Sequence, residues 1–359
     1  MEQWFVQIPK VELHAHLSGS ISWLTLSRLL ETQKQNLESQ IPIITEGEMR
    51  DISECFELFK ILHKAVYSAD ILQQVRAAQT FVRNLRVTVD VVEEFASDGV
   101  IYLELRTTLR PLPSYREYLH AVVEGIQSAP SVLAERIVTR LLISIDRARG
   151  VSEGYQAVTL AIEAAHLWPQ LVVGVDLSGN PEIGSLLDYV PVLNEARANG
   201  LKTTVHFAEV PGPSDEWLQF LRRHIPDRLG HVTCLPQSDT ASHGVDAVEA
   251  RKLVVAAEIP LEICLTSNVR TRTVHDYTSH HLRYWLQLGQ PICLCTDDKG
   301  VFCSNLSNEF QLAMEYCGLT ETDVFNVCEN SITAAFCSDH VKSQLRQKLD
   351  SFRARIPHF

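Results

Sequence analysis

No stretch of this 359-residue chain approaches the roughly 18 consecutive apolar residues of a membrane-spanning helix, so no membrane association of that kind is expected. The opening MEQWFVQIPK has an acidic second residue and lacks the apolar centre of a secretory signal. Basic residues are in deficit: 32 Lys and Arg against 44 Asp and Glu leave a net charge of −12. That balance excludes a sequence-independent nucleic-acid binder, which needs clustered cations to neutralise phosphates. It does not exclude a small anionic substrate, for which one local basic group suffices. No C-x-x-C occurs among the nine cysteines, an odd number set mostly in apolar stretches. Reduced, buried thiols in a cytoplasmic protein are therefore expected rather than a disulfide framework. G-x-G-x-x-G is missing as well, and with it the phosphate turn of a doubly wound sheet. No internal repeat, low-complexity segment or linker marks a second domain.

What is present is a rhythm. Short β-rich runs occur at 11–17, 100–108, 138–146, 171–179, 201–209, 228–233, 261–268 and 292–298. Between most of them lies enough chain for one helix and two loops, as at 185–198 and 247–257. Strands alternating with helices pair in parallel, and eight such units close into a (β/α)8 barrel. The fold expected is thus α/β, a single barrel over 1–359. A helical insertion at about 18–99, amphipathic around 54–66, leaves the C-terminal end of the first strand and makes a candidate lid. Helices at 306–317, 321–328 and 340–352 form a C-terminal extension over about 305–359.

The strands share a second property. Alternate side chains point to opposite faces of a strand, and here one parity is polar while the other is oily. In the first strand Glu12, His14 and His16 oppose Val11, Leu13, Ala15 and Leu17; in the second Glu104, Arg106 and Thr108 oppose Leu103 and Leu105. Ser144 and Asp146, Asp176 and Ser178, Thr204 and His206, and Glu262, Thr266 and Asn268 continue the pattern. Burying such groups against apolar helices would cost several kcal/mol each, so the polar parity is expected to face the lumen. For Glu104 and Arg106, deep in their strand, internal ion pairing is the expected role. Those nearest strand C-termini reach the end where barrels build active sites.

His14-Ala15-His16 puts two imidazoles on one side of a strand. With His206 and Asp297 they form a plausible shell for one zinc ion with an open position for water, although iron or another divalent ion fits the same ligand types. Glu209, three residues after His206, falls just beyond its strand as an acid/base. His231 can orient or deprotonate the water.

PKVELHAHLSGS, HFAE, DRLGHVT, LEICLTSN and CTDDKG, in this order and over essentially the whole chain, resemble the adenosine deaminase family of metal-dependent barrel enzymes. LELRTTLRP, SIDRARG, VDLSGNP and TDDKGVF are most similar to its adenosine deaminase-like branch, which removes the N6 substituent of N6-methyl-AMP. The resemblance implies that His14, His16, His206 and Asp297 bind zinc, that Glu209 gives a proton to purine N1, and that His231 positions the hydroxide attacking C6. It implies further that Asp298 bonds N7 and the Gly179 amide bonds N3. Substrate contacts are implied at His16, Ser18, the segment Thr107-Thr108-Leu109-Arg110, Asp146 and His63, the last on the lid face Phe56, Phe59, His63, Val66. Two hydroxyls and a guanidinium suit a phosphate. The chain departs from the branch at Ser18 (usually Asn), at Asn180 (SGN for SGD) and at Pro111, where a proline is displaced. The implied function is hydrolysis of N6-methyl-AMP to IMP and methylamine, by a cytoplasmic monomer whose partner is a purine mononucleotide. The alternatives are an adenosine deaminase acting on the nucleoside, and a non-catalytic purine-binding or signalling barrel.

Overall fold

The computed structural model describes residues 2–31, 54, 77–111, 114–239 and 244–356. Eight strands form one parallel sheet in sequence order: β1 (Lys10–His16), β2 (Val100–Thr108), β3 (Val138–Asp146), β4 (Val172–Ser178), β5 (Lys202–Phe207), β6 (Arg228–His231), β7 (Leu261–Ile263) and β8 (Ile292–Leu294). The last two strands are short, and the sheet turns back on β1 through the residues after β8. Asp297 N–H donates to the His14 carbonyl at 2.8 Å, and His16 N–H donates to the Asp297 carbonyl at 3.0 Å. These two bonds make the Ala15–Asp297 bridge that joins the end of the sheet to its beginning.

The expected strands correspond closely to those observed, with two corrections: the eighth, expected over 292–298, ends at Leu294, and the seventh also stops short. The seventh was expected to run to Asn268, but it stops at Ile263 and a short helix, Leu265–Arg270, follows. Thr266 and Asn268 therefore reach the barrel mouth from a helical turn and not by strand parity. The helix expected at 321–328 extends over Glu321–Ala334, while Leu306–Cys317 stands as expected. The amphipathic stretch at 54–66, apart from Glu54, and most of the insertion lie outside the described residues. The part within them ends in a 21-residue helix, Ala77–Ser97, leading into β2.

The division of parities holds across the barrel. Leu103, Leu105, Ile143, Ile145, Val175, Leu177, Val205 and Phe207 are buried in the apolar layer under the helices. The opposite parity fills the lumen with charge. Arg106 bonds the Leu13 carbonyl at 2.7 Å and Asp176 at 3.0 Å, and ion-pairs with Glu262. Arg228 bonds Glu262 at 2.6 Å and ion-pairs with Glu104. All five charged groups are fully buried. Arg106 and Glu104 do pair internally, each with a different partner. Removing one member of such a network strands the others and costs about 3–5 kcal/mol.

Candidate active site

The network ends directly beneath a cluster of imidazoles. His14, two residues before the end of β1, has a side chain that needs space across the lumen, and β6 provides it by carrying glycine at position 230. A Cβ there would lie 2.9 Å from His14 Cε1. His14 Nδ1 is 2.7 Å from Glu262 Oε2, and His206 Nδ1, from β5, is 3.1 Å from both Asp176 Oδ1 and the Leu177 carbonyl. A carbonyl only accepts, so His206 Nδ1 carries a proton. Glu262 is held well below the usual carboxylate range because, against the penalty of burial, Arg106, Arg228 and His14 surround it. His14 Nδ1 accordingly donates to it.

With Nδ1 of each ring turned to its partner, the two Nε2 atoms are left facing each other at 3.0 Å. His16 Nε2 lies 3.2 Å from His206 Nε2. Asp297 Oδ1 is 3.5 Å from His14 Nε2 and 3.4 Å from His16 Nε2. Four acceptors converging at these separations repel one another unless a cation sits among them. Ligands about 2.0–2.1 Å from a tetrahedral zinc stand about 3.3 Å apart, close to these four separations. The second oxygen of Asp297 accepts from Ser267 Oγ at 2.7 Å, leaving Oδ1 aimed at the cluster. Burial opposes the charge on Asp297, but the imidazoles gathered about it hold its carboxyl well below the usual range.

Two further groups line the centre. Glu209 Oε1 lies 3.8 Å from His231 Nε2. The Glu209 carboxyl is pushed up to about 7, chiefly by burial. His231 is fully buried, with ring centroids 5.0 Å from both His14 and His206. Asp298 packs its carboxyl onto the α-carbon of Gly19, where any side chain on that residue would collide with it. Burial, then the charge of Asp297, drives the Asp298 carboxyl well above its usual range.

Farther from the centre the expected contacts divide. Asp146 and Gly179 are neighbours: Gly179 has φ +89°, and a Cβ there would meet Asp146 Oδ1 at 2.2 Å. Asp146 is partly committed, accepting from Ala148 N–H at 3.0 Å and pairing with Arg149 at 3.3 Å. Thr108 and Arg110 are half-buried at the end of β2 and just beyond it, and Leu109 is buried with its carbonyl taken by Arg149 at 3.0 Å. The Thr107 hydroxyl turns outward to Tyr118 at 2.7 Å, so it is the alternate residue, Thr108, that follows the lumen parity. Ser18 is half-buried in the turn after β1. His63 lies outside the described residues.

A cluster of potential metal ligands, a buried carboxyl pushed up to about 7 and a histidine thus meet at the C-terminal mouth of a parallel barrel. The adenosine deaminase family model matches residues 9–352. The chain belongs to the adenosine deaminase family. It is 38% identical to human N6-methyl-AMP deaminase over 361 aligned positions, covering 99% of this chain and 96% of that one. To the Arabidopsis thaliana N6-mAMP deaminase it is 34% identical, covering 97% and 98%. The crystal structure of Arabidopsis ADAL complexed with GMP superposes with a TM-score of 0.83 at 35% identity, covering 99% and 100%. An adenine deaminase from Arthrobacter aurescens, at 19% identity and TM-score 0.75, shares the fold. This family member is thus a deaminase, a hydrolase of carbon–nitrogen bonds on a (β/α)8 barrel. Among the described residues no helix is long and apolar enough to cross a membrane.

Sequence reasoning missed the supports of the site. Asp176 and Glu262 were visible as lumen-facing acids, but their attachment to His206 and His14 was not. Ser267, and His281 behind His231, gave no signal, because helical turns and loops place them.

Proposed function

We propose that this deaminase hydrolyses N6-methyl-AMP to IMP and methylamine, as a cytoplasmic monomer whose whole length serves one barrel. His14, His16, His206 and Asp297 would hold one zinc ion. When bound, the ion supplies Lewis acidity and brings the acidity of water near neutrality. The observation that carries the reading is the convergence of four potential ligand atoms near Glu209, whose carboxyl is pushed up to about 7.

The chain's own groups supply the rest. His231 takes a proton from the attacking water as its oxygen bonds to C6. Glu209 gives its proton to purine N1, cancelling the negative charge that would otherwise collect there. The Asp298 carboxyl, protonated in its buried setting, donates to N7, and the Gly179 amide donates to N3. Breaking the C6–N6 bond then releases methylamine, which takes the proton held by His231, while the remaining hydroxyl proton passes to Glu209 and the purine keeps the N1 proton and a 6-oxo group. Thr108, Arg110 and Asp146 meet the ribose phosphate, with His16, Ser18, Leu109, Thr107 through its backbone, and His63 completing the pocket. The names of the human and Arabidopsis relatives support the nucleotide as substrate.

Steady-state kinetics on N6-methyl-AMP, AMP and adenosine test the assignment. We expect N6-methyl-AMP to give the highest kcat/KM; a preference for adenosine over both nucleotides would reverse it.

A further inference from the structure

The rings of His14 and His206 each have a partner that decides where the proton sits, and for His231 that partner is of a different kind. His14 and His206 use a carboxylate and a carbonyl. His231 Nδ1 instead lies 3.1 Å from the side-chain amide of Asn268. Asn268 is fully buried in the helical turn after β7. Its neighbour Ser267 aims Asp297, so two successive residues of one turn hold two different groups of the site.

The backbone beneath His231 is held with equal care. His231 has φ +64° and Val232 φ +52°, consecutive left-handed residues without glycine. Such conformations cost about 1–3 kcal/mol each and persist only where the surroundings enforce them. His281 Nε2 donates to the His231 carbonyl at 2.8 Å, and Val232 N–H donates to the Phe207 carbonyl at 3.1 Å. The ring is thereby turned so that Nε2 faces Glu209, and no protein hydrogen bond reaches that nitrogen.

A neutral imidazole carries one proton. If the proton is on Nε2, the ring cannot accept another from water there; if it is on Nδ1, Nε2 has a free lone pair. An amide can serve either tautomer, donating through nitrogen or accepting through oxygen, and the two orientations have nearly the same shape. Asn268 Oδ1 is buried without a partner while its nitrogen points at the ring. Turning the amide over brings that oxygen onto Nδ1 and makes it the acceptor.

We propose that Asn268 is a positioning residue which, through Oδ1, keeps the proton on His231 Nδ1 and so reserves the Nε2 lone pair for the attacking water. This rests on the reading of His231 as the base. It predicts that an acceptor at position 268 is what matters, and that a donor there is dispensable. Asn268→Asp keeps the acceptor and Asn268→Leu removes it at similar volume. Orienting partners of this kind are typically worth about 10–100-fold. For Asn268→Leu we expect a fall in kcat of that order, about 10–100-fold, with KM for N6-methyl-AMP within about threefold. Asn268→Asp should recover most of kcat.

Circular dichroism and metal content confirm that each variant is folded and loaded. 15N spectra of histidine-labelled protein, with the His231 signals identified by their loss in His231→Gln, read the tautomer independently of turnover. Nδ1 should carry the proton in the wild type, and Asn268→Leu should shift it toward Nε2. Asn268→Asp failing as badly as Asn268→Leu, an unchanged kcat in Asn268→Leu, or an Nε2–H tautomer in the wild type would each overturn the proposal while leaving His231 as the base. Full activity of His231→Gln would instead remove the base reading and this proposal together.

Discussion

Glu209 illustrates how one side chain acquires its chemistry from its surroundings. In water its carboxyl would be ionised at neutral pH; burial between β5 and the metal-ready cluster keeps its proton up to about 7. Glu209→Gln keeps the shape and removes the transferable proton. We expect kcat to fall by roughly three orders of magnitude or more, since proton transfer alone contributes about 10²–10⁴-fold, with metal content unchanged. Equal turnover by the variant would show that another group is the acid. Because the acid form is the active one, kcat/KM should decline as pH rises through about 7, and a profile flat to pH 9 or so would contradict the role. At this scale the sequence was informative where a residue's own type limits its use. Two histidines on one strand face, and acidic residues at strand ends, had few other uses there. It put Asn268 at the functional end without its partner and gave nothing for His281, because an amide or a second histidine suits many settings, and only the folded backbone brings these two against His231.

Among the elements, β6 shows what a strand can contribute by carrying nothing. Gly230 pairs with His206 and leaves the space that His14 fills. His14 cannot yield, because Glu262 fixes its far nitrogen. Gly230→Ala should therefore displace the ring: we expect zinc affinity to drop by about tenfold or more in chelator competition, and stability to fall by about 1–3 kcal/mol as in other overpacked cores. Unaltered zinc affinity would mean that the ring has room to move. The eight strands themselves were legible because each alternates apolar with polar residues, a period that helices do not share. β7 was misjudged in length since LTSN continues that alternation by eye, while the backbone turns helical after Cys264 to aim Ser267 and Asn268. Loop geometry of this sort carries no periodic signal.

For the molecule as a whole, neutral histidines buried away from the centre make folding sensitive to acid. His224 donates to Asn194 at 2.8 Å, and burial followed by Arg197 lowers it to about 4. Burial also lowers His281 to about 4, and burial with His281 lowers His280 farther. An unfolded chain binds protons at these sites from pH 6.5 downward while the native state refuses them, so stability is full above 6.5 and declines toward about 4. Urea midpoints should drop between about pH 7 and pH 5, and His224→Gln should drop less steeply than wild type. Parallel slopes would clear His224 of any part in it. The charged lumen acts in the same direction, since Asp176 and Glu262, held below the usual carboxylate range, must stay ionised to match Arg106 and Arg228 and lose that match on acidification. Finally, the two backbone bonds of Asp297 fasten the last strand to the first, while its carboxylate points at the cluster. One residue is at once a buckle for the ring and a finger on the ion, so loading the centre should tighten the seam, and amide exchange at Asp297 and His16 would report occupancy without any substrate being present.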